Sequence, residues 1–232
     1  MKKTLVLLSF NEIEAAPKVL GTVPLQAADE VFAVDGGSKD GTIAFLESKG
    51  LRVVLQKERG RGVAFRMGME EAKGDAVVFF SLDGNEDPAD IPKLFAKLEE
   101  GADLAIASRM MRGAHNEEDD QLFRLRKWVN LAFTLIANLL WNRGPYVTDT
   151  INGFRGLRKT AFEKMNPDAK GFVIEYQLSI RAMKLGLKVA EIPTRENPRA
   201  GGESTAKSLP TGVVFLKQLW REIVLGRDFA GR

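Results

Sequence analysis

Five short apolar runs constrain this chain more than anything else in it, because four of them stop abruptly at a polar cluster. Thr4–Phe10 ends in "SFNE", Glu30–Val34 in "VDGGSKDGT", Ala76–Leu82 in "SLDGNEDP" and Leu104–Ser108 in "ASRM"; Arg52–Gln56 is the remaining run. Between them lie helical patterns at Glu12–Val23, from "DGGSKDGT" to Lys49, at Val63–Lys73 and at Ala89–Glu99. Strands without hydrophobic alternation, separated by helices, are buried on both faces. The spacing therefore predicts a Rossmann-like α/β fold, a mostly parallel sheet with helices on both sides. Ligands on such sheets bind beyond the carboxyl ends of the strands. The four polar clusters fall there, which predicts one site assembled from four loops.

The alternation stops after residue 110. "MMRGAHNEEDDQ" reads as a mobile surface loop, Arg124–Trp141 as an amphipathic helix and "GFRGLRK" as a short strand. Val173–Leu185 reads as a helix, Lys188–Ile192 as a last strand, and Thr211–Leu225 as a final helix. This predicts a main domain over 1–207 and a C-terminal amphipathic helix over 208–232. Trp128–Trp141 has eleven apolar residues in fourteen. A helix of that length reaches roughly 21 Å, short of the ~30 Å hydrocarbon core of a bilayer. "VVFLKQLWREIVL" carries Lys217, Arg221 and Glu222 and cannot span either. Both segments suit a position on a membrane surface or against a protein core.

Composition removes several classes of chemistry. The 232 residues include no cysteine and one histidine, His115. Disulfide frameworks and thiolate or multi-histidine metal sites are excluded. His115, within "RGAHNEEDD", reads as a solvated loop residue. The N-terminal "MKKTLVLLSFNE" is broken by Asn11-Glu12 and has no small-residue cleavage site. It reads as a first strand rather than a signal peptide, which predicts a cytoplasmic protein. The net charge of +3 hides an asymmetry: residues 83–103 hold seven acids and two lysines, residues 121–164 eight bases and two acids. The basic stretch predicts an anionic partner. Its interleaved aliphatic side chains offer no base-stacking platform, which argues against nucleic acid.

Asp83, Asn85 and Asp87 are two residues apart, so an extended backbone would turn them the same way. Mg²⁺ usually takes one or two carboxylates plus substrate phosphates, and this segment offers that donor set. Asp87 before Pro88 is also a helix start, with proline in the first turn. Both readings stand on the sequence.

The motifs "SFNE", "VDGGSKDGT", "GRGVAFRMGMEEAKGD", "SLDGNEDP", "ASR", "DTINGFRGLRK", "EIPTREN" and R-x-G-G-E-S-T-x-K occur in this order. Together they resemble family 2 glycosyltransferases of the GT-A fold, and within them the dolichol-phosphate mannose synthase-like branch acting on polyprenyl phosphates. The resemblance implies a role for each matching position. Glu12 and Asp35 would hold the base and ribose of a nucleotide sugar, linked through GDP or UDP. Asp83, Asn85 and Asp87 would lie on the metal motif for Mg²⁺ or Mn²⁺, with Asp83 and Asp87 as its anionic ligands and Glu86 a bystander. Arg61, Arg199 and Lys207 would hold the diphosphate, with Ser204 on the same late loop. Ser108, Arg109, Arg126, Asn130 and Arg155 would face the acceptor phosphate, and Asp149 and Asn152 lie on the "DTINGFR" element. Gly36 and Asn85 depart from the family pattern, each standing where an aspartate is usual.

The resemblance implies transfer of a hexose-type sugar to polyprenyl phosphate by in-line displacement with inversion, by a protein peripheral at the inner face of the membrane. A phosphate acceptor is already anionic and needs no strong base, which is consistent with the scarcity of histidine. A family 2 enzyme with a hydroxyl acceptor would need a carboxylate base instead, Asp149 being the first choice. A silent membrane-surface binding protein would be consistent with Asn85 and Gly36. A nucleotidyltransferase would carry a glycine-rich loop where this chain has "SFNE".

Overall fold

Period-two alternation along the strands sorts their side chains onto two cores. Leu5, Leu7, Val78 and Phe80 join one cluster, while Val6, Leu8, Val77 and Phe79 join the other. The computed structural model describes residues 1–119, 124–201 and 208–229, with the side chains of 208–211 excepted. Strands β1 (Lys3–Ser9), β2 (Glu30–Asp35), β3 (Arg52–Leu55), β4 (Ala76–Ser81), β5 (Leu104–Ser108), β6 (Arg155–Arg158) and β7 (Val189–Pro193) form one sheet. Their order is β3-β2-β1-β4-β6-β5-β7. Strand β6 is antiparallel to both β4 and β5; the other pairings are parallel.

Helices α1 (Ala16–Leu20), α2 (Thr42–Ser48) and α4 (Ile91–Glu99) cover the first core. Helices α3 (Arg61–Glu71), α5 (Leu125–Trp141), α6 (Lys159–Met165), α7 (Ile174–Leu185) and α8 (Ser208–Leu225) cover the second. The strand runs land where the apolar pattern predicts. Helix α1 is much shorter than its pattern, because Asn11 adopts a left-handed conformation (φ 54°) and Glu12 precedes the helix. The Glu12 N–H donates to Thr42 Oγ1 and the Lys39 N–H to Asn11 Oδ1, so this segment is tied to the loop after β2. The α6 segment follows β6 without a break and carries no separate signal in the sequence.

The segment after β5 differs from expectation. Residues 114–119 are pinned rather than loose. The His115 N–H donates to Thr194 O and the Glu196 N–H to His115 O, while Asn116 Nδ2 donates to Glu196. Half-buried His115 thus belongs to a two-segment ladder with residues 194–196.

Helix α8 packs one face onto α7. Phe215 and Leu219 enter the core, with Phe215 beside Phe133 and Tyr176. Glu222 is fully buried between Arg181 and Lys184, with ion pairs of 3.0 and 2.8 Å. The opposite face of α8 exposes Val213, Leu216, Trp220 and Val224, and α5 exposes Leu125, Trp128, Leu135 and Leu139. Among the described residues no helix is long and apolar enough to cross a membrane.

Candidate active site

The order of connection reverses between β1 and β4, so a crevice opens beyond their carboxyl ends. A cavity of about 570 Å³ fills it, lined by Ser9, Phe10, Glu12, Arg59, Asp83 and Arg199 among others. The Arg59 guanidinium lies 3.7 Å over the Phe10 ring. Phe10 also fills the space beside Gly36, where a Cβ would stand 2.8 Å from the ring. A side chain in place of Gly36 would therefore have to move that ring.

Glu12 is buried, and its Oε2 has no hydrogen-bond partner. Burial lifts its pKa to about 7, with Arg199 working in the opposite direction. Arg199 bridges Glu12 (2.7 Å) and Asp83 (2.8 Å). Its segment is laid onto the loop after β4: the Ala200 N–H donates to Asp83 O, the Asn197 N–H to Asn85 O, and Asn85 Nδ2 to Asn197 O. Gly84, at φ +87°, leaves room for Ala200, which a Cβ there would meet at 2.7 Å.

A second cavity, of about 190 Å³, shares Arg61, Ser81, Asp83 and Arg199 with the first and extends past Arg109, Arg126 and Glu196. Arg61 is held by Glu175 and donates to Ser81 Oγ at 3.3 Å. A Cβ at Gly153 would overlap the Arg61 guanidinium, so glycine is required there for the arginine to reach the junction. Glu86 is not a bystander. It accepts the Ser81 N–H at 2.6 Å, lies 3.9 Å from Arg61, and burial pushes its pKa up to about 8. Arg109 donates to Asp149 (2.8 Å) and Glu196 (3.1 Å). Arg126, at the start of α5, is paired with Glu117 and Glu118.

The structure brings Glu12, Arg61, Asp83, Asn85, Arg109, Arg126 and Arg199 to these two cavities. It places other expected residues elsewhere. Asp35 is fully buried and lines neither cavity; its carboxylate accepts from Ser9 Oγ, Gly37 N, Ser38 N and Ser38 Oγ. Those four bonds tie it into the turn after β2. Asp87 accepts from Ala89 N through one oxygen and caps the turn into α4, as its helix-start reading expects, and it lines neither cavity. Ser108 is buried, with its hydroxyl against Thr148 and accepting from Met110 N and Met111 N. Arg155 has no exposure and serves the carbonyls of Asn152, Thr150 and Glu175; burial lowers its pKa to about 10. It braces the "DTINGFR" turn and lines neither cavity. Asn130 is half-buried on α5 and lines neither cavity. Burial raises the Asp149 carboxyl, but Arg109 outweighs it and holds the pKa below the usual range, the opposite of what a base needs. Lys207 and Ser204 lie outside the described residues.

Thr194, Arg195, Glu196 and Glu117 also line the second cavity and were not anticipated. The signal was present: "TREN" follows the carboxyl end of β7, the same edge as the other loops.

Among the described residues no three acids or histidines cluster as a self-sufficient metal site. Asp83 lies where the cavities meet, and the Asn85 amide nitrogen is engaged by Asn197, which leaves its Oδ1 for a ligand. This donor set fits a cation that completes its shell with diphosphate oxygens and water.

A large cavity at the switch point of this sheet thus meets an arginine-lined cavity at the acidic loop after β4. The comparisons give the family: the chain belongs to glycosyl transferase family 2, which it matches over residues 4–165. It is 30% identical over 221 residues to a polyprenol monophosphomannose synthase of Mycolicibacterium smegmatis, covering 88% of this chain and 80% of that protein. It is 26% identical over 218 residues to an undecaprenyl-phosphate mannosyltransferase of Micrococcus luteus, covering 88% of this chain and 87% of that protein. In structure it resembles glucosyl-3-phosphoglycerate synthase from Mycobacterium tuberculosis, solved with Mn²⁺, UDP and glucosyl-3-phosphoglycerate. That likeness has a TM-score of 0.73 at 22% identity and covers 97% of this chain and 79% of that one.

Proposed function

We propose that this glycosyltransferase moves one sugar from a nucleoside-diphosphate donor to a polyprenyl phosphate, with inversion. The observation that carries the reading is the shared wall of the two cavities, where Arg61, Ser81, Asp83 and Arg199 belong to both. A donor in the larger cavity would place its diphosphate at this wall, and an anionic acceptor would approach from the arginine-lined side. Asp83 and Asn85 would hold Mg²⁺ or Mn²⁺, which neutralises charge on the leaving diphosphate when bound. Arg199 would turn from Asp83 to the phosphate oxygens, and Arg61 would bond them from the floor. Arg109 and Arg126 would hold the acceptor phosphate close to the donor.

The exposed apolar faces of α5 and α8 support a bilayer location. Trp128 and Trp220 are exposed on them, and Arg124, Arg126, Lys127, Lys217 and Arg221 lie on the same helices or beside them. Anionic lipid would attract those bases while the apolar side chains enter the interface. Helix α8 would then serve as membrane-facing as well as core-forming.

The test is direct. Purified protein with Mg²⁺ or Mn²⁺, labelled GDP- and UDP-sugars and dolichyl or undecaprenyl phosphate should yield a lipid-linked sugar, and Asp83→Ala should abolish it. No transfer and no donor hydrolysis across the panel would sink the reading. One observation favours a hydroxyl acceptor as second reading: Glu86, with its raised pKa, lines the acceptor cavity where a base would be needed. Transfer to an alcohol that Glu86→Gln abolishes, with no transfer to the matching phosphate, would favour it.

A further inference from the structure

Five arginines line the smaller cavity, and four of them are neutralised from within the protein. Arg61 pairs with Glu175 and Glu86, and Arg109 with Asp149 and Glu196. Arg126 pairs with Glu117 and Glu118, and Arg199 with Glu12 and Asp83. Arg195 is the fifth, and it has no acid partner among the described residues. Its side chain is exposed, while its backbone is fixed by the ladder with His115.

The residue before it has the complementary property. Thr194 lines the same cavity and is 5% exposed, and its Oγ1 is buried without a hydrogen-bond partner. Its main chain is already used: the N–H donates to Ser108 O, and the carbonyl accepts the His115 N–H at 3.0 Å. The hydroxyl is thus the one polar group of Thr194 left for a ligand. A buried donor without a partner is unfavourable, and an entering acceptor oxygen relieves it. A guanidinium with no acid partner among the described residues, next in sequence to an unused hydroxyl, offers the donors that the oxygens of a phosphate monoester accept.

We propose that Thr194 and Arg195 form an anion subsite that receives the acceptor's phosphate monoester, in addition to Arg109 and Arg126. This rests on the phosphate-acceptor reading above. In that arrangement Arg195 captures the monoester at the mouth of the cavity, and Thr194 donates to one of its oxygens inside. Arg109 and Arg126 then exchange their glutamates for the same phosphate. The chemistry fits a lipid phosphate or a soluble phosphate ester equally, and the experiment separates the two.

Full-length wild type, Arg195→Ala and Thr194→Val would be titrated by calorimetry with citronellyl phosphate, with 3-phosphoglycerate, and with citronellol as the uncharged control. Acceptor KM and donor KM would be measured alongside with a short-chain polyprenyl phosphate. The expected result is an affinity for the monoester, or an acceptor KM, worse by about tenfold in each variant, with donor KM and alcohol binding unchanged. A preference for citronellyl phosphate assigns the subsite to a lipid headgroup, and a preference for 3-phosphoglycerate to a soluble ester; either supports it. Monoester binding equal in wild type and both variants, or absent from wild type, overturns it. If wild type transfers sugar to polyprenyl phosphate and the variants match it, the inference alone fails. If no transfer to any phosphate occurs but binding still depends on Arg195, the proposed function fails and the subsite stands.

Discussion

Two clusters of opposite charges, one buried and one half-buried, differ in how completely they are satisfied. Between α7 and α8, Glu222 has no exposure and receives Gln177, Gln218, Arg181 and Lys184. Arg181 spends its remaining donors on the carbonyls of Met165 and Asn166 and on Asp168, and Lys184 bonds the Glu222 carbonyl. At the donor cavity, Glu12, Arg199 and Asp83 form a chain of similar composition, yet Glu12 Oε2 and Arg199 Nε are buried without partners. A saturated network fixes one arrangement; an unsaturated one retains capacity for something that enters. Charge and burial alone do not separate a structural cluster from a binding site, whereas the unused hydrogen-bonding atoms do.

That contrast can be broken at either end. The largest effect is expected at the saturated cluster. Glu222→Gln leaves Arg181 and Lys184 buried with reduced compensation and should destabilise the fold by about 3–5 kcal/mol. Denaturant titration would measure the loss, and calorimetry with nucleotide should show unchanged donor affinity in the folded fraction. Arg199→Ala is expected to do the reverse. Donor affinity should fall roughly 10- to 100-fold, since charge-assisted bonds to phosphate are worth ~1.5–3 kcal/mol, while the unfolding midpoint hardly moves. A large midpoint shift with intact donor binding would place Arg199 with Glu222 instead.

The smallest effect is a dependence on pH. Burial lifts Glu12 to about 7, above its ordinary value near 4.5, so the folded protein holds this proton more tightly than the unfolded chain. Stability from this group is therefore fully present below about pH 4.5 and declines as pH rises to about 7. Wild type should lose stability relative to Glu12→Gln between those limits, measured by denaturation at several pH values. Equal slopes for the two proteins would mean that Arg199 keeps Glu12 charged throughout.

The sheet and the location of the site were readable because continuous apolar runs and their polar ends follow from local sequence. The functions of individual charged residues were less readable. Arg155 and Arg109 sit in similar motifs, yet the first is sealed under the "DTINGFR" turn and the second faces the cavity. No local pattern distinguishes an arginine that serves carbonyls from one that awaits an anion, because the difference lies in partners 20 to 87 residues away. Asp87 was ambiguous for a simpler reason: a helix cap and a metal ligand use the same residue type. Thr194 and Arg195 were missed because an unused hydroxyl, and a guanidinium without an acid partner among the described residues, become visible only when the neighbours are placed.

The position of β6 also bears on how the molecule is made. Strands β4 and β5 follow one another in the chain, yet residues 155–158 lie between them in the sheet. During synthesis from the N-terminus, β1 to β4 can assemble early, but β5 has neither neighbour until 155–158 and then 189–193 emerge. Until then the β4 edge is an open row of backbone donors and acceptors, the condition that invites strand exchange with another chain. A ribosome paused before residue 155 would therefore hold out an aggregation-prone half-sheet, and slow translation through this interval would raise the demand for chaperones.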